Sequence, residues 1–334
     1  MRNIAIRFQQ LRHKHNYAIA CPGQGFYRNG LLEINKKHES LFREYLEQID
    51  ETLGENFSKN LYAQDESIAK EWLGKTSNAQ PAILASTYIL SKIINKQYGI
   101  DLVGNSKYLL GHSLGEYTAL LLSGILDFPT ALKLVRKRGQ LMVVYKLLLL
   151  PFRFIPYDRN KLRDSTTFDQ VLSEAYDWGV VANINSINQI VISGENDRLI
   201  EFSNNLRKTL PKLRTIPLPV SIPFHNKILE SIVPELSTIV YGKLHEQKIP
   251  IISNVDAKIS TVSKETMSKT LQGNYQPVRW LESMQFLEKN SEDIDFVLSF
   301  GPGNVLHGIN SKYKVKSIGV DDIDENAELF VSMR

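Results

Sequence analysis

The pentad Gly111-His112-Ser113-Leu114-Gly115 constrains this chain more than any other feature. It follows directly on a short apolar stretch, Lys107–Leu110, and precedes a helix-like run, Glu116–Ser123, that breaks at Gly124. G-x-S-x-G between a strand and a helix is the pattern of a nucleophile elbow, a sharp turn that forces the serine into a strained backbone conformation. Small residues two positions either side let strand and helix pass closely. The serine oxygen then emerges at the helix N-terminus, where the dipole favours developing negative charge. The bare pentad is common by chance, and a structural Gly-rich turn has the same letters. The strand before it and the helix after it are what favour a nucleophile at Ser113.

The rest of the chain supplies an α/β frame for such a turn. A strand over Tyr17–Cys21 runs into Pro22-Gly23-Gln24-Gly25, and a polar, helix-compatible region follows to about Leu53. Residues 66–98 read as further helices, with Pro81 in a first turn where its missing N–H costs nothing. Pro129–Met142 reads as another helix, its apolar positions interleaved with basic residues. The segment 145–220 has its own pattern: a strand around Leu147–Ile155, a helix Thr167–Asp177, and strands Val180–Ile184 and Gln189–Ser193. A helix Asp197–Leu210 and a strand Leu213–Leu218 complete it. That order, βαββαβ, is ferredoxin-like. Pro250–Ser253 and Asp295–Ser299 resemble buried strands that rejoin the first unit. The expected architecture is α/β: a hydrolase-like core with a parallel sheet, residues 17–144 and 221–325, interrupted by a small ferredoxin-like subdomain, 145–220.

Composition narrows the function classes. The longest apolar runs, such as Leu147–Phe152, are far shorter than the roughly 20 residues of a membrane span, so no membrane insertion is expected. Cys21 is the single cysteine, which excludes an intrachain disulfide and a multi-cysteine metal site; it reads as a small buried thiol. No Asp or Glu precedes Glu33, while Arg2, Arg7, Arg12 and Lys14 crowd the first sixteen residues among Ile4, Ile6, Phe8 and Leu11. Acid-poor, Arg-bearing and amphipathic, residues 1–16 read as a mitochondrial presequence, which places the protein in the matrix. A short basic tail without a targeting role has the same composition. Without that leader, 40 − 4 = 36 basic residues balance 36 acidic ones, so the formal charge of +4 is no sign of a nucleic-acid surface.

A serine nucleophile needs a base, and there are seven histidines. His13 and His15 belong to the leader, His38 and His245 lie in polar stretches expected to be exposed, and His112 sits on the elbow but aims elsewhere. His307 follows a Gly-rich turn. His225, in Val220-Ser221-Ile222-Pro223-Phe224-His225-Asn226, lies on a loop leaving the small subdomain, a plausible place for a base. A lone histidine is nonetheless more often structural than catalytic.

Several ordered motifs go further than any one of them. Pro22-Gly23-Gln24-Gly25, Gln80-Pro81-Ala82-Ile83, the elbow with Glu116-Tyr117, and Arg138-Gly139-Gln140-Leu141-Met142 come first. Pro223-Phe224-His225, Asn254-Val255-Asp256, Pro277-Val278-Arg279-Trp280 and Gly301-Pro302-Gly303 follow. Together, from Ala18 to about Leu306, they resemble the malonyl-CoA:acyl-carrier-protein transacylases of fatty acid synthesis, here in a mitochondrial type. They are also similar to the acyltransferase domains of polyketide and multifunctional fatty acid synthases.

The resemblance implies a ping-pong transfer of malonyl from malonyl-CoA to the phosphopantetheine thiol of acyl carrier protein. Ser113 would be the nucleophile and His225 its general base, oriented by a backbone carbonyl near Gly273 rather than by an aspartate. The backbone N–H groups of Gln24 and Leu114 would form the oxyanion hole. Arg138 would hold the malonyl carboxylate, with Arg136 and Lys137 beside it on a solvated helix face. Gln80, His112, Phe224 and Asn185 could line the acyl pocket, Phe224 restricting room for an α-methyl group; Asn183 and Asn185 suit a turn about as well. No metal and no bound cofactor are implied, coenzyme A thioester being the substrate, and a monomer is expected. One departure stands out: Met142–Ile155 is bulky and partly basic where the family has a glycine- and alanine-rich strand. The alternatives are a serine esterase or thioesterase, which would add an acidic triad member, and a non-catalytic module that binds carrier protein.

Overall fold

The computed structural model describes residues 15–25, 30–62, 65–145, 152–156, 165–211, 213–218 and 222–333. The leader expected over 1–16 falls almost wholly outside these residues, as do 147–151 of the strand expected over Leu147–Ile155.

In chain order the first elements are β1 (Tyr17–Cys21), α1 (Arg43–Leu53), α2 (Glu66–Gly74), α3 (Thr76–Tyr98), β2 (Tyr108–Gly111), α4 (Leu114–Leu122) and α5 (Phe128–Val143). A second group is β3 (Phe152–Pro156), α6 (Ser165–Asp177), β4 (Val181–Ser186), β5 (Gln189–Ile192), α7 (Asn196–Thr209) and β6 (Leu213–Pro217). The remainder is α8 (Val233–Val240), β7 (Ile251–Ile252), β8 (Ile259–Ser260), α9 (Ser263–Gln272), α10 (Trp280–Lys289), β9 (Phe296–Phe300), α11 (Val305–Asn310), β10 (Lys316–Val320) and α12 (Ala327–Ser332).

The strands form two sheets. The larger has the order β10-β9-β1-β2-β7-β8, parallel except for the β7–β8 pair at one edge. β1 and β9 are buried at every position, as central parallel strands covered on both faces must be. Alternation along β1 divides the core. Tyr17, Ile19 and Cys21 join the large apolar cluster under α3, α4 and α5. Ala18 and Ala20 face the opposite cluster, with Trp280 and Met284 of α10 and Leu306 and Ile309 of α11. The α/β class therefore rests on a three-layer core. The carboxyl ends of β1 and β2 lie side by side, where sheets of this kind hold their sites.

The smaller sheet, β4-β5-β3-β6, is antiparallel throughout, the strand order of a ferredoxin-like βαββαβ unit. Its own apolar cluster, built on Phe168, Val171, Leu199, Phe202 and Leu206, also includes Leu281 of α10. Main-chain bonds tie it to the core: Ile184 N–H donates to Val278 C=O at 2.8 Å and Val278 N–H to Ala182 C=O at 2.9 Å. The subdomain is thus stitched to the segment that leads into α10.

Two expectations need correction. Pro81 is not in a first turn but inside α3, whose first residue is Thr76. A proline there leaves the carbonyl four residues earlier without its N–H. That carbonyl belongs to Ser77, and Arg136 Nη1 donates to it at 2.8 Å. Arg136 is consequently no solvated side chain: Nη1 also binds Asn78 Oδ1 and Nη2 binds Glu55 Oε1, both at 2.5 Å. Only Lys137 fits the solvated face, pairing with Glu235 while half-exposed. β10 escaped notice because Lys316-Ser317-Ile318-Gly319-Val320 is a half-exposed edge strand with little apolar content.

Candidate active site

The elbow has the strain its letters foretell. Ser113 has φ 55° and ψ −109°, an unusual backbone for a residue with a side chain, and begins α4 from the end of β2. The crossing leaves no room for side chains at the flanking glycines. A Cβ on Gly111 would stand 1.9 Å from the Gly115 carbonyl carbon, and one on Gly115 would stand 2.1 Å from the Cys21 oxygen. A Cβ on Gly23 would meet the His112 oxygen at 2.5 Å, so the Pro22-Gly23-Gln24-Gly25 turn lies directly against the elbow.

One buried side chain holds this turn from both sides. Asn254 Oδ1 accepts the Ser113 N–H at 3.0 Å, and its Nδ2 donates to the Gly111 carbonyl at 2.6 Å. Its own N–H is taken by Glu116 Oε1 at 3.1 Å. Desolvation pushes the Glu116 carboxyl up to about 8, so at pH 7 it is mainly neutral.

His225 reaches the elbow from the loop that leaves the small subdomain. Its Nε2 lies 2.7 Å from Ser113 Oγ, and its Nδ1 lies 2.7 Å from the Gly273 carbonyl. A carbonyl only accepts, so Nδ1 carries the proton and Nε2 presents its lone pair to the serine hydroxyl. Among the described residues no carboxylate completes a triad; the third member is main chain at the C-cap of α9. His225 too has positive φ, 60°. Ser193, just past β5, holds both neighbours of His225: its Oγ donates to the Phe224 carbonyl at 2.7 Å, and its carbonyl accepts from the Asn226 side chain, Nδ2, at 3.0 Å. Burial first, then the charge of nearby Arg138 and the neighbouring His112, push the His225 imidazole down to about 3. It is therefore neutral, the form a base requires.

Arg138 is buried on α5, 2% exposed. Its Nε donates to Asn274 Oδ1 at 2.7 Å and its Nη1 to Gln80 Oε1 at 2.9 Å, while the guanidinium lies 4.9 Å over the Tyr117 ring. Among the described residues no carboxylate forms an ion pair with it; Glu116, whose charge would act on it, is mainly neutral. A guanidinium is always charged, and leaving such a charge buried without a counter-ion is costly. The close approach of α5 to α3 depends on Gly139, whose Cβ would stand 2.6 Å from Ser77 Cα.

The other expected residues surround this pair. His112 Nε2 bonds Asn185 Oδ1 at 2.7 Å, linking elbow to small subdomain, and burial pushes its imidazole down. Asn185 is held in turn by Tyr313 Oη on its carbonyl at 2.5 Å. A cleft of about 160 Å³ is lined by Gln24, His112, Asn183 and Asn185. Gln24 Nε2 donates to Thr76 Oγ1 at 3.2 Å, and Leu114 is the first residue of α4, whose N–H has no intrahelical acceptor. Phe224 is half-buried against the main core. A larger cavity, about 620 Å³, lies at the far end of α4 and includes none of these residues. Among the histidines set aside, His245 is exposed as expected, but His38 is largely buried beside Asp324. His307 Nδ1 lies 3.0 Å from Ser317 Oγ, away from the serine. Cys21 is fully buried, and burial pushes its thiol far up, out of reach of ionisation.

Residues 20–292 match the acyl transferase domain family model. The chain belongs to that family. Among the acyltransferases it resembles, the malonyl CoA-acyl carrier protein transacylase of Bacillus subtilis (strain 168) is 31% identical over 326 residues, 94% of this chain and 96% of the relative. A Staphylococcus aureus (strain MSSA476) protein of the same name is 31% identical over 90% of this chain and 94% of its own length. The crystal structure of an acyl carrier protein S-malonyltransferase from Vibrio cholerae superposes with a TM-score of 0.81 at 28% identity, covering 94% and 99% of the two chains. A malonyl-transacylase in complex with a type II polyketide acyl-carrier protein gives 0.79 at 26% identity, covering 95% and 98%.

Because His225 is already neutral far below the ordinary histidine value of about 6.5, kcat/KM for acylation of Ser113 should keep its plateau to below about pH 5. A pH–rate profile with its acid limb near the ordinary value of about 6.5 would show that burial and Arg138 do not hold this imidazole down.

Proposed function

We propose that the chain transfers malonyl from malonyl-CoA to the phosphopantetheine thiol of acyl carrier protein, through a malonyl ester on Ser113. The observation that carries the reading is Arg138: a buried cation, without an anionic partner among the described residues, close enough to the Ser113–His225 pair for its charge to depress the imidazole. Such a site asks for an acyl group that brings its own carboxylate, and malonyl does. A guanidinium can hold a carboxylate by two parallel hydrogen bonds. The names of the bacterial relatives point the same way.

The steps close on themselves. His225 Nε2 takes the Ser113 proton as Oγ attacks the thioester carbonyl. The tetrahedral oxyanion is received by the N–H groups of Leu114 and Gln24, and removing one such donor typically costs about 2.7–4 kcal/mol. Collapse breaks the C–S bond, and the imidazolium gives its proton to the departing coenzyme A thiolate, which leaves as the thiol. The carrier thiol then gives its proton to His225 and attacks the malonyl ester; collapse frees Ser113 with its proton restored. The reaction so written uses side chains and backbone amides alone, with no metal or bound cofactor. Phe224, Gln80 and Asn185 shape the acyl pocket, Phe224 limiting an α-methyl branch.

The basic, acid-free leader supports a mitochondrial matrix destination for this activity, with a monomer as the working form. Sequencing the N-terminus of the protein isolated from cells tests the destination: a chain shortened near residue 16 in the matrix fraction is expected, and an intact Met1 outside mitochondria would refute it.

For the activity itself, Arg138→Ala should lower malonyl transfer about a hundredfold or more, the loss of charge-assisted hydrogen bonds, while acetyl transfer from acetyl-CoA holds or rises. Equal loss for both acyl groups would show that Arg138 does not read the carboxylate.

A further inference from the structure

The side chain that orients Arg138 sits one residue from the carbonyl that orients His225. Asn274 follows Gly273 at the end of α9 and is fully buried. Its Oδ1 accepts Arg138 Nε–H at 2.7 Å; its Nδ2 donates to Tyr117 Oη at 2.9 Å and to the Leu271 carbonyl at 2.8 Å. The amide cannot be turned over, because Arg138 Nε only donates and the Leu271 carbonyl only accepts. Tyr117, held by the same amide, is the ring beneath the guanidinium.

We propose that Asn274 is the positioning residue that sets how Arg138 presents its charge, and through it how strongly the site prefers an acyl group bearing a carboxylate. This rests on the malonyl reading above. Three features make an uncharged amide the fitting choice. It occupies Nε–H, so the side-on edge that pairs Nε with Nη2 is closed and an arriving carboxylate must bind at the Nη end. It orients the guanidinium without neutralising it, whereas aspartate would supply the counter-ion in place of substrate and set an anionic oxygen against the Leu271 carbonyl. It also lies one peptide unit from the Gly273 oxygen on His225 Nδ1, so one short stretch of chain fixes the separation between the base and the carboxylate reader. That separation is what a malonyl group, with its carboxylate one methylene from the reacting carbonyl, has to match.

The test compares the steady-state acylation kinetics of wild type, Asn274→Asp and Asn274→Ser with malonyl-CoA and with acetyl-CoA, alongside melting temperatures. Asn274→Asp, isosteric, should raise KM for malonyl-CoA about ten- to a hundredfold, the range for a hydrogen bond to a charged group, with kcat/KM for acetyl-CoA changed less than about threefold. Asn274→Ser, too short to reach Nε, should shift the ratio the same way and carries the test if the aspartate variant does not fold. Parallel loss of both acyl donors with a lowered melting temperature would reduce Asn274 to a structural residue. An unchanged malonyl-to-acetyl ratio would overturn the inference while leaving the transferase reading intact. A wild-type protein that does not take malonyl would overturn the two together.

Discussion

Everything at the site depends on one contact, the 2.7 Å hydrogen bond between Ser113 Oγ and His225 Nε2, and on the backbone strain that makes it possible. Among the described residues three non-glycine positions have positive φ, and two of them are this serine and this histidine. Neither conformation holds itself. Asn254 braces the serine by binding the main chain on both sides of His112; Ser193 braces the histidine through the Phe224 carbonyl on one side and the Asn226 side chain on the other. The first brace comes from the core and the second from the small subdomain, so the pair exists only where the two units meet. The main-chain bonds between β4 and Val278 keep that junction closed.

The electrostatics follow from burial. Burial pushes the titratable groups around the elbow toward their uncharged forms: His225 and His112 downward, Glu116 and Tyr117 upward. Arg138 cannot follow, since a guanidinium keeps its proton. Amides and an aromatic face, not a carboxylate, surround it. The site is thus left with one fixed positive charge beside a neutral base and a serine. That distribution suits a monoanionic acyl group better than a neutral one, and it keeps the imidazole free to take the serine proton.

Much of this was legible in the sequence, for identifiable reasons. The elbow could be read because three small or strained positions fall within five residues, and the ferredoxin-like order because strand and helix periods alternate cleanly from Thr167 to Leu218. Arg138 and Gly273 came only through family resemblance. Nothing local marks an arginine on an amphipathic helix as buried, or a glycine as the owner of a needed carbonyl. Asn254 and Asn274 acquired no role at all. Their partners lie more than a hundred positions away, at Ser113, Gly111, Tyr117 and Arg138, and an asparagine beside a turn has the same composition whether or not it braces anything. Pro81 and Arg136 were misread together: the carbonyl freed by the one is satisfied by the other, which only the α3–α5 packing reveals.

The most direct test of the account is the covalent intermediate. Mixing the protein with malonyl-CoA and measuring intact mass, followed by peptide mapping, should show one malonyl group on the peptide that contains Ser113, and none on Ser113→Ala. A Ser113→Ala protein that still gains the malonyl group, or a wild-type protein labelled elsewhere, would contradict it.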